Sequence, residues 1–345
     1  MLLPLLALGI SGCQSGSVEK TELWVLNAGS LVIPFDRIEA EYERLHPEID
    51  LKCEGHGSIQ VVRHITEIFD EADIAAVADY SLLPLLMYPA TMENGDPYAD
   101  WHIRFATNRL GVAFTPESKY ASEINADNWY EILLREDVNL GFSDPRIDAV
   151  GYRALMLLQL AEFHYNENNL FESLITRNFN SPVTSSMIGD GEYDIVVPEL
   201  LVSTSDRIYL RGFSVQLLAL LEAHQIDYAF EYESVAKQHG LGFVALPEEI
   251  DLSSEAMAEH YAQVTVRLDY HRYETVNPVF QGLPIIYGIT IPYSAPHPEE
   301  AAAFLEFLLG EGGQKMLRDN YQPPIVPPEA DDVSRLPDAL KSLVE

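Results

Sequence analysis

Leu26-Asn27-Ala28-Gly29-Ser30-Leu31 reads as the end of an apolar strand, a turn of small residues and the first residue of a helix. The same design returns in Glu54-Gly55-His56-Gly57-Ser58-Ile59, in the segment from Ser143-Asp144-Pro145-Arg146-Ile147-Asp148 through Ala149-Val150-Gly151-Tyr152-Arg153, and in Tyr228-Ala229-Phe230-Glu231-Tyr232-Glu233-Ser234-Val235-Ala236. Strand–turn–helix units repeated along a chain predict an α/β fold with mostly parallel sheets. Each helix start also presents unpaired N–H groups and the positive end of a dipole, which suit an anion. If the four turns converge they enclose a small polar cavity for one compact ligand. Two of them carry a carboxylate, Asp148 and Glu231, that could reach a metal centre.

Outward from these turns, strand and helix patterns alternate. Thr21–Ala28 predicts a strand, Leu31–Leu45 a helix stopped by His46-Pro47, Ile49–Glu54 a strand, Ser58–Asp70 a helix, and Asp73–Asp79 a short buried strand. Leu110–Thr115 predicts a strand that carries the chain into a second lobe. There Val150–Tyr165 reads as a strongly apolar helix, Phe213–His224 as a second helix and Tyr228–Tyr232 as a strand. The β-rich run Pro284–Pro292 returns the chain, and helical segments between 297 and 320 close it. The expected division is one lobe from 22–108 with 285–345 and a second from 109–284. Two crossings between α/β lobes make a hinge, and a hinge makes a ligand cleft.

A formal charge of −33, from 54 acidic and 21 basic residues, excludes nucleic acid as a partner, because no basic stripe exists to neutralise phosphates. It also disfavours adsorption on anionic lipid. Such an excess suggests work in high salt, where screening shortens the repulsion to a few ångström. The few lysines, Lys20, Lys52, Lys119, Lys237, Lys315 and Lys341, fit that expectation. Residues 1–13 form an apolar run ending in Ile10-Ser11-Gly12-Cys13. The run is too short to span a bilayer and suits a secretory signal whose Cys13 becomes lipidated, although no basic residue precedes it. Residues 14–21 would then be a tether. Cys53, left without a partner, reads as a small core residue on a strand. No P-loop, nucleophile elbow, dinucleotide-binding glycine pattern or close histidine pair is present.

The chain resembles the archaeal-type molybdate/tungstate-binding proteins, the solute receptors of an ABC importer, with the type II periplasmic-binding-protein fold. The resemblance rests on Asn27-Ala28-Gly29-Ser30-Leu31, Asp79-Tyr80, Asn128-Trp129-Tyr130-Glu131-Ile132-Leu133, Gly141-Phe142-Ser143-Asp144-Pro145, Gly151-Tyr152-Arg153, Ser234-Val235-Ala236-Lys237-Gln238-His239-Gly240, Glu249-Ile250-Asp251-Leu252-Ser253 and Ile286-Tyr287-Gly288-Ile289-Thr290-Ile291-Pro292, in this order over nearly the whole chain. It implies a clamshell that holds one oxyanion, without a cofactor, and docks as a monomer on a membrane permease driven by an ATPase subunit. It further implies serine contacts at Ser30 and Ser58, and carboxylates at Asp148 and Glu231 that complete a six-oxygen shell around the metal. Three departures bear on selectivity between molybdate and tungstate. Asn27 stands where histidine is expected, Ala149-Val150 follow Asp148 where proline is common, and Tyr88–Trp101 is lengthened.

Each candidate has a plainer role. Ser30 and Ser58 suit helix N-caps, worth about 1 kcal/mol each, while Gly29 and Gly57 let the backbone come close to an oxyanion. Asp148 suits a cap as well. Glu231 could face outward from an edge strand, with Glu233 as the alternative ligand. Asp144 before Pro145 suits a turn, His56 lies in the second loop, and Arg153 suits tying down a loop. Two other functions use the same residues: a ferric-ion receptor with Tyr232, or an enzyme with Asp148 and Glu231 as an acid/base pair.

Overall fold

Three sheets carry the chain in a computed structural model that describes residues 20–68, 71–189, 191–269 and 278–345. The Cys13 segment and most of the tether lie outside the described residues. From edge to edge, the first sheet runs Pro324–Ala330, Ile103–Thr107, Ile286–Thr290, Ile74–Val77, Thr21–Ala28, Ile49–His56. The second runs Gly242–Val244, Leu110–Phe114, Tyr228–Tyr232, Leu140–Ser143, Ile208–Arg211. The third is smaller: Val279–Gln281, Val264–Asp269, Glu192–Pro198, Thr184–Gly189.

The fold is α/β, but the sheets are mixed rather than mostly parallel. Thr21–Ala28 is parallel to both Ile49–His56 and Ile74–Val77, as strand–helix–strand units require. Ile286–Thr290 is antiparallel to both its neighbours, and Leu110–Phe114 is antiparallel to Tyr228–Tyr232. In the first two sheets these reversals fall at the strands through which the chain changes sheets, while Thr184–Gly189 runs antiparallel to Glu192–Pro198 within the third. It leaves the first sheet at Thr107, passes Asn108 and Arg109, and enters the second at Leu110; it returns between Gln281 and Ile286. The crossings lie side by side, since Asn108 N donates to Ile285 O at 3.2 Å and Ile285 N to Leu252 O at 2.7 Å.

The helix Val32–Leu45 buries Pro34, Phe35, Ile38 and Tyr42 at helical spacing against the first sheet. Removing Phe35, which is wholly buried, would cost about 3–5 kcal/mol. The helix Ala149–Tyr165 shows no such stripe, because every residue from Ala149 to Ala161 is buried. It packs against strands of the second sheet on one side and against Val264–Asp269 of the third on another, so apolar residues suit all its faces. Its burial fixes the position of Asp148, the residue just before it.

Candidate functional site

Parallel pairing of Thr21–Ala28 with Ile49–His56 sets Ala28 opposite His56, so the two following turns leave the first sheet at one edge. That register sets the turns that carry Ser30 and Ser58 side by side, and a Cβ on Gly55 would stand 3.8 Å from Gly29 Cα. Ser30 lies within a short 3-10 turn, Gly29–Leu31, and Ser58 begins the helix Ser58–Arg63. Neither hydroxyl caps its helix, contrary to the plainer expectation. Ser58 Oγ accepts from Ala78 N at 3.0 Å, which leaves its own hydrogen free.

The Ser30 hydroxyl meets Tyr287 OH at 2.9 Å. Asn108 fixes the direction of that bond. Its Oδ1 accepts from Arg109 N at 3.0 Å, so its Nδ2 faces the other way and donates to Tyr287 OH at 3.0 Å and to Ser234 Oγ at 2.7 Å. With Tyr287 OH accepting from Asn108, its own hydrogen can go to Ser30, and in that arrangement the hydrogen of Ser30 is left for a ligand. Both serines of the first lobe can therefore offer a hydroxyl hydrogen to a ligand.

The second lobe presents the opposite chemistry. Asp148 holds the N-cap position of its helix in extended conformation (φ −125°, ψ 137°) but makes no capping bond; its Oδ2 accepts from Ser214 N at 3.0 Å instead. Glu231 lies on Tyr228–Tyr232, a central strand with all five residues buried, which overturns the edge-strand alternative. Its Oε1 accepts from Ser214 Oγ at 3.0 Å and from Tyr232 N at 2.8 Å, while Oε2 is buried without a hydrogen-bond partner. Desolvation pushes the Glu231 carboxyl up to about 8, and the nearby Asp148 charge adds to the rise. Burial likewise raises Asp148 to about 6, against the pull of the Ser143 hydroxyl and the Ser214 N–H.

The two lobes touch around these groups. A Cβ on Gly57 would stand 2.3 Å from Ile147 O and 3.3 Å from Asp148 Cα; one on Gly29 would stand 3.3 Å from Val215 Cγ2. Glycine at 57 therefore allows backbone of one lobe to reach backbone of the other. Tyr152 OH donates to Asp79 Oδ2 at 2.6 Å, and Arg153 Nη1 donates to Ala78 O at 2.7 Å and Tyr232 OH at 2.6 Å, with Nη2 3.2 Å from Asp79. Arg153 thus ties the 78–79 loop of the first lobe to the second. A groove of about 310 Å³ beside the contact has walls from both lobes, including Val32, Ile33, Val215 and Leu218. A depression of about 600 Å³ lined by Ile65, Glu71, Met92 and Tyr98 shares no residue with the site.

Three further residues stand apart from the carboxylates. Glu233 pairs with Arg109 at 3.3 Å and Lys237 at 3.0 Å near the surface. Asp144 shapes its turn, accepting from Arg146 N at 3.0 Å and Nε at 2.8 Å. His56 Nε2 lies 3.0 Å from Glu54, and its ring packs on His64. Sequence reasoning missed Ser214, Tyr287 and Asn108. Ser214 had a readable signal: Ile208–Arg211, Gly212, Ser214 and the helix Val215–Glu222 repeat the strand–glycine–serine–helix design. The strand was overlooked, and the unit with it.

Hydroxyl-bearing turns of one lobe thus meet buried carboxylates of the other, an arrangement that suits a receptor for a small solute. Residues 23–321 match the family described as bacterial extracellular solute-binding protein, and the chain belongs to that family of solute receptors. It is 43% identical over 329 residues to an uncharacterized solute-binding protein of Methanoculleus marisnigri, covering 95% of this chain and 88% of the relative. It is 38% identical over 355 residues to the molybdate/tungstate-binding protein WtpA of Thermococcus kodakarensis, covering 99% and 94%. Among solved structures, the fold is similar to the sulfate-binding protein SubI from Mycobacterium tuberculosis (TM-score 0.56, 12% identity, 89% of this chain and 88% of that one). It is also similar to the periplasmic molybdate-binding protein of Azotobacter vinelandii (TM-score 0.52, 11% identity, 87% and 98%). Among the described residues no helix is long and apolar enough to cross a membrane.

Proposed function

We propose that this chain captures tungstate or molybdate between its lobes, 22–108 with 285–345 and 109–284, and delivers it to an ABC importer. Glu231 Oε2 carries the reading, being fully buried, without a partner, and bridged to Asp148 through Ser214. Leaving such an acceptor unpaired costs about 1–3 kcal/mol, which a ligand would recover. Relatives named for molybdate and tungstate, 38% identical over nearly the full length, support the choice of solute.

A carboxylate facing a dianion repels it when oxygen meets oxygen. The repulsion gives way when Asp148 and Glu231 bind the metal atom itself, a hard centre that prefers oxygen donors. Ser30 and Ser58 then donate to the oxyanion oxygens, with Gly29 and Gly57 keeping the turns close. Sulfur does not expand its shell in this way, so sulfate is excluded by chemistry as well as size. The ferric-ion alternative would draw on Tyr232, whose hydroxyl already accepts from Arg153 Nη1 at 2.6 Å. Membership of a family of solute receptors favours binding over hydrolytic chemistry.

The protein would act as a monomeric receptor without a cofactor, outside the membrane and anchored through Cys13, with a permease and its ATPase as partners. Only a ligand that binds the closed state better can shift the hinge, and contacts from both lobes provide that difference. Isothermal titration of the purified protein in high salt with tungstate, molybdate and sulfate tests the reading. Tight one-to-one binding of the first two with sulfate silent is expected; silence from all three would discard it.

A further inference from the structure

Ser214 stands between the carboxylates with both its hydrogens committed. Its N–H goes to Asp148 Oδ2 and its hydroxyl to Glu231 Oε1, each at 3.0 Å, and the residue is buried. Tyr232 N reaches the same Glu231 oxygen at 2.8 Å. One oxygen of Glu231 thus takes two donors while the other takes none. We propose that Ser214 is a positioning residue that makes Glu231 a one-oxygen ligand and sets its span to Asp148, so that the pair selects a metal centre already holding four oxygens.

The inference rests on the tungstate/molybdate reading of the site. An octahedral shell has room for only two oxygens beyond the four of the oxyanion. A glutamate free to swing or to offer both oxygens would crowd that shell or miss it. Holding Oε1 with two donors removes both options and leaves Oε2 for the metal. A role for Ser214 in its own helix does not account for these bonds. It precedes Val215–Glu222 with helical torsions (φ −63°, ψ −38°) and makes no side-chain capping bond, and its hydroxyl points instead to a strand 17 residues further on.

Ser214→Ala and Ser214→Thr, with wild type, separate this from packing. Ser214→Ala keeps the backbone N–H on Asp148 but loses the hydroxyl; Ser214→Thr keeps both. Titration with sodium tungstate should show roughly 10-fold weaker binding in Ser214→Ala and recovery in Ser214→Thr. The tungsten X-ray absorption spectrum of the bound proteins should give six oxygen neighbours in wild type and Ser214→Thr, and an altered shell in Ser214→Ala. Equal affinity and equal shells in wild type and Ser214→Ala would overturn the proposal, as would equal losses in both variants. Wild type that binds tungstate tightly with only four oxygens would remove the carboxylates from the shell and the proposal with them. Wild type that ignores tungstate would instead sink the functional reading on which it rests.

Discussion

The two lobes bring unlike halves to one site. The first offers hydroxyl hydrogens on short turns, Ser30 steered by Tyr287 and Ser58 by Ala78 N. The second offers carboxylates inside a sheet and at a helix start, where water is excluded and ionisation is resisted. A donor half on its own suits almost any anion. A buried acid pair on its own repels one. On the proposed reading, selectivity would arise only when both close on a centre that accepts carboxylate oxygen and carries oxygens that accept hydrogen bonds.

Removing the acid half should have the largest effect. Glu231→Gln or Asp148→Asn preserves shape but gives up a charged oxygen ligand, and tungstate affinity should fall about 100-fold or more, as for one partner of a buried charged contact. Glu233→Gln, on the surface beside Arg109 and Lys237, should leave it unchanged. Titration calorimetry on the three variants decides the matter; unaltered binding in both Glu231→Gln and Asp148→Asn would refute metal ligation.

The contact between the halves comes next. A methyl group at Gly57 meets Ile147 O at 2.3 Å, and backbone on both sides leaves it nowhere to go. Gly57→Ala should therefore wedge the lobes apart while each lobe stays folded. Overpacking of this kind costs about 1–3 kcal/mol, or roughly 10-fold in affinity. Small-angle scattering should show the variant staying more open than wild type when tungstate is added. Equal closure in both would mean that the lobes tolerate the extra atom by sliding.

The halves also differ in how far the sequence shows them. The donor half was legible because strand, glycine, serine and helix follow one another locally, and a parallel register does the rest. Glu231 was legible for a different reason: an acid between Phe230 and Tyr232 conflicts with its strand, and such conflicts mark sites. Ser214 repeats the donor design but follows the four-residue strand Ile208–Arg211, whose one buried residue gives little alternation to read. Tyr287 and Asn108 could not be found at all. Asn108 meets Tyr287, and through it Ser30, only because the two crossings lie side by side, a pairing across 179 residues that no local pattern records. The mixed sheets escaped for the same reason, since direction depends on where the chain changes lobe.

A gentler break in the donor half is Tyr287→Phe. The ring stays, but Ser30 loses the donor that leaves its own hydrogen free, and Asn108 Nδ2 loses an acceptor. One neutral hydrogen bond is worth about 1 kcal/mol, so tungstate and molybdate should both weaken by about 5-fold with their ratio kept. A change in that ratio would show that the donor half also discriminates between the metals.

The smallest effect leaves binding aside and reads the acid half through the stability of the empty protein. Glu231 rises from an ordinary 4.5 to about 8, and Asp148 from 3.8 to about 6, both by burial. Folded protein then holds protons that unfolded chain has released, so these groups stabilise most at low pH, and that stability is lost as pH climbs through the folded values. Asp148 contributes its loss by about pH 6, which leaves Glu231 alone between about 6 and 8. The buried His102 works the other way: desolvation lowers its value from 6.5, so its neutral form gains stability as pH rises. Comparison with Glu231→Gln cancels that opposing trend. The ligand-free variant should melt at the same temperature as wild type near pH 4 and several degrees higher at pH 8. Parallel melting curves across that range would mean that Glu231 ionises freely and that burial does not hold the acid half neutral.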